Sequence, residues 1–242
     1  MNTIIAFENV SKTYNLQKQK TFKEFLPALV TRKETKTKLV ALSQINFELE
    51  KGSSLAIMGR NGSGKSTILK LVAGVTKPND GRVTVNGRVA PLIELGAGFH
   101  PELTGRENVY LNGSILGIKR KQMDKLYKGI VEFAELSDFM DEPIKHYSSG
   151  MYMRLAFAVA VAETPDILLV DEILAVGDTK FQQKCLARIK DFKKFGSTII
   201  MVSHSFEQMR QNCQQGLVLT EGKKVFLGEI NKALGAYQKL LD

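Results

Sequence analysis

Gly59-Arg60-Asn61-Gly62-Ser63-Gly64-Lys65-Ser66-Thr67 decides how the rest of this 242-residue chain is read. The stretch has the form G-x-x-x-x-G-K-[ST] of a phosphate-binding loop. Its setting is the one such a loop needs. Leu55-Ala56-Ile57-Met58 before it is a continuous apolar run, as in a buried parallel strand, and Ile68 to Ala73 after it is competent to form a helix. Glycines at 59, 62 and 64 let backbone N–H groups converge on phosphate oxygens without a Cβ in the way. The helix that follows points its positive end at the same place. Lys65 is expected to neutralise the β- and γ-phosphates, and the Ser66 hydroxyl to ligate Mg²⁺.

The second half of such a site is Ile167-Leu168-Leu169-Val170-Asp171-Glu172. Four apolar residues running into an acid place that acid at the carboxyl end of a core strand, where open α/β sheets bind ligands. Asp171 is expected to hold Mg²⁺ through water. Glu172, one residue on, is positioned to act as general base towards an attacking water. Many buried strands end in acids, so this hexapeptide gains its meaning from the phosphate loop.

Around these two motifs, apolar runs alternate with helical stretches. Ile4 to Phe7 reads as a first strand and Ile45 to Leu49 as an alternating, edge-type strand. Strand-like runs return at Thr198 to Val202 and Gly216 to Leu219, which implies a mostly parallel sheet. Between them the chain turns helical over approximately 95–162. Gln122 to Leu136, for example, carries Met123, Leu126, Tyr127, Ile130, Val131 and Ala134 on one face. The fold class is therefore α/β, with a core over approximately 1–94 and 163–228 and a helical subdomain inserted into it. A packing helix is expected over approximately 229–242, with Ile230, Ala233, Leu234, Tyr237 and Leu241 on one stripe.

The bulk composition excludes several classes. A chain 43% hydrophobic and 24% charged is neither disordered nor fibrous. Its longest uninterrupted apolar stretch, Leu155 to Ala162, is far short of the roughly 20 residues a bilayer span takes. The start, from Met1 to Glu8, has no basic n-region and no long h-region of a secretory signal. Cys185 and Cys213 have the spacing of neither a zinc site nor a disulfide framework and fit a reducing cytosol. A net charge of +9 suits nucleic acid, anionic lipid or a polyanionic substrate, and equally a solvated basic surface. Residues 15–38 concentrate that charge, with seven Lys or Arg against Glu24 and Glu34, a net of +5. The same stretch holds an apolar cluster, Phe22, Phe25, Leu26, Leu29 and Val30, interrupted by Pro27.

Between the phosphate loop and the acid pair, Tyr147-Ser148-Ser149-Gly150-Met151 resembles the signature motif of ABC ATPases, L-S-G-G-Q, with Ser148 and Gly150 matching and Ser149 a small replacement for glycine. Taken alone, an ordinary N-cap turn would account for the pentapeptide. The order of loop, signature, acid pair and histidine argues for the family. That resemblance implies a P-loop core with an N-terminal antiparallel β element, and ATP and Mg²⁺ as cofactors. It also implies a homodimer in which Ser148, Ser149, Gly150 and Asp178 act on the nucleotide of the opposite subunit. His204, within Val202-Ser203-His204, looks like the switch histidine that contacts the γ-phosphate. Tyr14 matches the aromatic that stacks on adenine, although an ordinary core or surface tyrosine reads the same way. The chain departs from the family at one place. Glu94 stands where Gln usually joins core to helical subdomain, and as a carboxylate it can still reach Mg²⁺ or its waters while adding negative charge beside the triphosphate.

The run Leu95 to Asn108, together with Tyr147 to Met151 and Asp171 to Asp178, is similar to the ATP-binding subunits of polysaccharide exporters. That similarity implies transport of a lipid-linked glycan, of O-antigen or teichoic acid type, through integral membrane permease subunits. The chain would then sit peripherally on the cytoplasmic face of the inner membrane, with residues 15–38 either at anionic headgroups or as a solvated loop. Some members carry a C-terminal carbohydrate-binding domain, which a chain ending at Asp242 is expected to lack. The alternatives are an ABC ATPase of another transporter, an importer included, a soluble ABC ATPase acting on nucleic acid or ribosomes, or a degenerate nucleotide-holding scaffold. No long heptad insert or tandem ATPase halves favour nucleic acid or ribosomes, and intact Lys65, Asp171, Glu172 and His204 oppose the scaffold.

Overall fold

A computed structural model describes residues 2–16, 37–93, 95–171, 177–203 and 205–241. A six-stranded sheet forms its centre. Its strands are β3 (Ser54–Met58), β5 (Val89–Pro91), β6 (Ile167–Asp171), β7 (Thr198–Val202), β8 (Gln215–Thr220) and β9 (Lys223–Glu229), in the order β5-β6-β7-β3-β8-β9. All neighbours run parallel except β8 and β9, which pair antiparallel. A second, antiparallel sheet of three strands is built from β1 (Thr3–Leu16), β2 (Thr37–Glu50) and β4 (Asp80–Val85), with β1 in the middle.

Alternation along the parallel strands explains why both faces of the large sheet are covered. Leu55, Ile57, Ile167, Leu169, Ile200 and Val202 point into a core shared with the antiparallel sheet and with α1 (Lys65–Val72). Ala56, Met58, Leu168, Val170, Ile199 and Met201 point the other way, against α4 (Ser149–Ala160), α5 (Thr179–Lys194) and α7 (Ile230–Gln238). A third core holds α2 (Gly105–Ile115) and α3 (Arg120–Ala134) against α4. Helix α4 serves two cores at once, with Phe157 facing the sheet and Leu155, Ala158 and Val159 facing α2 and α3. Thr104 begins α2 through a reciprocal capping box: its hydroxyl accepts from Glu107 N at 3.2 Å while the Glu107 carboxylate accepts from Thr104 N at 2.8 Å.

Several sequence boundaries change. The first strand extends well past Phe7, because Glu8 and Ser11 pair with β4 and Val10 and Lys12 to Leu16 pair with β2. The helix expected at Gln122 to Leu136 runs from Arg120 to Ala134. The C-terminal helix ends at Gln238, and Leu241, expected on its buried stripe, is 45% exposed. Strands β4, β5 and β9 and the short helix α6 (Phe206–Asn212) lack a clean periodicity, whereas α5 carries Phe181, Cys185, Ile189 and Phe192 at helical spacing, a signal the sequence reading passed over. The apolar cluster from Phe22 to Val30 lies outside the described residues. No helix of the described residues is long and apolar enough to cross a membrane.

Candidate functional site: two clefts

Strand register brings the first cleft together. Val202 on β7 is paired with Ile57 on β3 and with Asp171 on β6, so the start of the phosphate loop, the acid and the end of β7 share one sheet edge. The loop leaves β3 at Met58 and enters α1 at Lys65. Gly64, at its mouth, has φ 104, and a Cβ there would come within 2.6 Å of Ala41 O, so only glycine lets the loop pack on β2. Gly59 is constrained in the same way, with φ 155 and a hypothetical Cβ 2.5 Å from Leu219 O. Lys65 Nζ arches over the loop and donates to Gly59 O at 2.7 Å and to Arg60 O at 3.1 Å.

The resulting cleft of about 340 Å³ is lined by Asn61, Gly62, Gly64, Lys65, Ser66 and Thr67, by Asp171, and at its far end by Tyr14 with Leu39 and Val40. Tyr14 therefore borders the cleft, half-buried, beside two valine- and leucine-sized side chains that are about half exposed. Sequence reading named Tyr14 but not Leu39 and Val40, because an apolar pair within a strand gives no sign of which cleft it borders. Arg60 turns away from the cleft, and its guanidinium donates to Leu241 O at 3.3 Å. Ser63 is buried in the loop, with Gly222 N donating to its carbonyl at 3.2 Å.

The donor set suits Mg²⁺. One carboxylate, Asp171, and the hydroxyls of Ser66 and Thr67 lie in the same cleft as the phosphate loop. Magnesium is held in this way, by one or two protein oxygens with substrate phosphates and water, rather than by an all-protein cage. Glu94, Glu172 and His204 lie outside the described residues.

A second cleft, of about 650 Å³, gathers Ser148, Ser149, Gly150, Gly177 and Asp178. Ser148 caps α4, its Oγ accepting from Met151 N at 3.2 Å, which leaves the first amides of the helix directed at the cleft. The N-cap turn is thus present, and it is compatible with the signature resemblance. Asp178 caps α5, accepting from Phe181 N at 2.9 Å, and that amide hydrogen bond holds its carboxyl below the usual aspartate range. Arg154 is the residue that sequence reading missed. It pairs with Asp178 and, at 3.2 Å, with Glu135, and its guanidinium lies 5.0 Å from the Phe181 ring centre. Lys184 completes the cluster, 3.1 Å from Glu135. Three of these residues sit on separate helices or helix ends, so no local motif announces the cluster.

Cys185 and Cys213 take no part in either cleft. Both are buried in the core, and burial pushes each thiol up to about 12.

A phosphate loop between a parallel strand and its helix, an acid on a neighbouring strand end, and a helical region presenting a serine-capped helix together define a P-loop ATPase of the ATP-binding-cassette class. Comparison with known proteins agrees. A family profile described as ABC transporter matches residues 42–175, and the chain belongs to that family. The O-antigen export system ATP-binding protein RfbB of Klebsiella pneumoniae is 44% identical over the full length of both chains. The teichoic acids export ATP-binding protein TagH of Listeria innocua is 40% identical over 99% of this chain and 71% of its own. Among solved structures, a dimeric, post-hydrolysis ATP-binding cassette bound to ADP and phosphate superposes with a TM-score of 0.72 at 23% identity, covering 93% of this chain and 98% of that one. At that identity the likeness shows the fold alone.

Proposed function

We propose that the chain is the ATP-hydrolysing subunit of an exporter that moves a lipid-linked polysaccharide, of O-antigen or teichoic acid type, across the bacterial inner membrane through a separate permease. Full-length similarity to an O-antigen export ATP-binding protein supports the cargo class. The observation that carries the mechanism is the division of the site: the phosphate-loop cleft and the signature cleft share no lining residue. Two copies arranged head to tail would set the first cleft of one against the second cleft of the other, a closed arrangement with two equivalent sites.

In that dimer, backbone amides from Gly59 to Gly64 grip the phosphates, and Lys65 Nζ turns from the carbonyls of its own loop to the β- and γ-oxygens. Tyr14 stacks on the adenine. Asp171 and Ser66, together with Glu94, would hold Mg²⁺, which supplies charge neutralisation at the phosphates. Glu172 accepts a proton from the attacking water and His204 contacts the γ-phosphate. Ser148, Ser149, Gly150 and Asp178 of the opposite copy complete the enclosure. Glu172→Gln tests the scheme: light scattering should find a stable dimer with Mg-ATP, and a monomer at saturating nucleotide would reject it.

An apolar cleft of about 370 Å³ supports a docking place for the permease. It is lined by Pro91, Ile93, Leu95, Gly96 and Ala156, with Val75 and Ile115 more than half exposed on its rim. Tyr152, on the signature helix, donates to Gly96 O at 3.0 Å and packs edge-on against Phe99 at 5.2 Å. A shift of that helix on closure would therefore move the cleft wall. Residues 15–38 would rest at anionic headgroups, where each Lys or Arg is worth about 1 kcal/mol. Neutralising Lys18, Lys20 and Lys23 should then reduce pull-down by anionic liposomes, whereas unchanged pull-down would assign the segment to solvent.

A further inference from the structure

The end of β1 that carries Tyr14 is fastened at three points to one short turn. Lys12 Nζ donates to Lys77 O at 2.8 Å, Thr13 N donates to Asn79 Oδ1 at 2.8 Å, and Asn79 N donates back to Ser11 O at 2.8 Å. The second bond replaces a ladder bond with a side chain, at the place where the β1–β2 register slips between Lys12↔Leu42 and Thr13↔Val40. Lys12 and Tyr14 lie two residues apart on a strand and so on one face, and the Lys12 ammonium stands 5.1 Å from the Tyr14 ring centre. Lys12 lines no part of the nucleotide cleft, whereas Tyr14 does. The Tyr14 ring thus meets the Lys12 ammonium and also borders the cleft.

The turn that makes these contacts belongs to the segment that begins as the phosphate loop. From Lys65 the chain runs through α1 to Val72, bends at Gly74 and reaches Lys77 and Asn79 before β4. One continuous stretch thus ends in the phosphate cradle at one side and in the clamp on β1 at the other. We infer that Lys12 and Asn79 are positioning residues for nucleotide binding: they fix the Tyr14 ring at a set distance from the phosphate cradle. The inference rests on the reading of Tyr14 as the base platform.

The test compares two probes with Mg²⁺ on the full chain: ATP, which has a base, and inorganic tripolyphosphate, which has none. Lys12→Met and Asn79→Ala should each weaken ATP binding by about threefold to tenfold, the size of one ammonium–ring contact or one lost hydrogen bond, and leave tripolyphosphate affinity unchanged. Lys12→Arg and Asn79→Asp, which keep the cation and the acceptor oxygen, should restore ATP affinity. Tyr14→Ala is run alongside. If Tyr14→Ala weakens ATP binding and the other two variants do not, the clamp is rejected while the base platform stands. If Tyr14→Ala leaves ATP binding unchanged, the platform itself is rejected and the clamp with it. Equal weakening of both probes by Lys12→Met and Asn79→Ala would mean a general structural effect and would also overturn the inference.

Discussion

The phosphate-loop cleft and the signature cleft are built on opposite plans. The first hangs on strand ends of a sheet buried on both faces, and its key groups are backbone amides fixed by a nine-residue run of sequence. The second is assembled from two helix starts joined by the Arg154–Asp178 ion pair, with Arg154 also bound to Glu135 at the end of α3. A site for a highly charged ligand that must also open needs both plans. In the proposed dimer the first half would keep its geometry while the second, held by weaker contacts, would approach and leave.

The comparison breaks most visibly at the cradle. Lys65→Ala should lower hydrolysis by roughly 10²–10³-fold, the range for loss of one charge-stabilising donor, and should weaken ATP binding as well. Gly150→Val in the second cleft should abolish most hydrolysis while a single chain still binds ATP with the parent affinity. Equal loss of ATP affinity in both variants, measured by calorimetry, would mean the two clefts are not separate halves. Mixing the two variants sharpens the contrast. A cradle from Gly150→Val facing a signature from Lys65→Ala forms one intact site, so the mixture should recover activity that neither protein has alone. Arg154→Met should act more gently. It removes two ion pairs worth about 0–1 kcal/mol each at such exposure, and it should reduce turnover without changing ATP affinity. The smallest effect is on pH dependence. Because the Asp178 carboxyl is held below its unfolded value, its contribution to stability is complete above about pH 4 and is lost as pH falls through the lowered value. The melting-temperature difference between the parent and Asp178→Asn should therefore be present at pH 7 and close towards pH 3.

How much of this was legible follows from how each piece is made. Leu55 to Met58, Ile167 to Val170 and Thr198 to Val202 were visible because strands buried on both faces must be apolar throughout. Strands β4 and β9 were not, since they are mostly exposed and β4 reads as polar and glycine-containing. The polar end of β1 was missed for a similar reason: its pairing partners lie up to 69 residues away at Asp80, and nothing in Ser11 to Tyr14 announces them. Arg154 escaped notice because its partners, Glu135 and Asp178, come from different elements.

By itself the sequence determined the chemistry of the phosphate loop, the order of the motifs and the family, because each is a local pattern in which backbone freedom, a lysine and a hydroxyl must stand at fixed spacing. Tertiary structure alone decided that Tyr14 reaches the same cleft as Lys65, that Ser148 to Gly150 line a separate cleft, that Arg154 pairs with Asp178 there, and that Asn79 bonds to β1 beside Tyr14. Those relations depend on register and helix packing between residues far apart in the chain, and no local pattern encodes a distance in space.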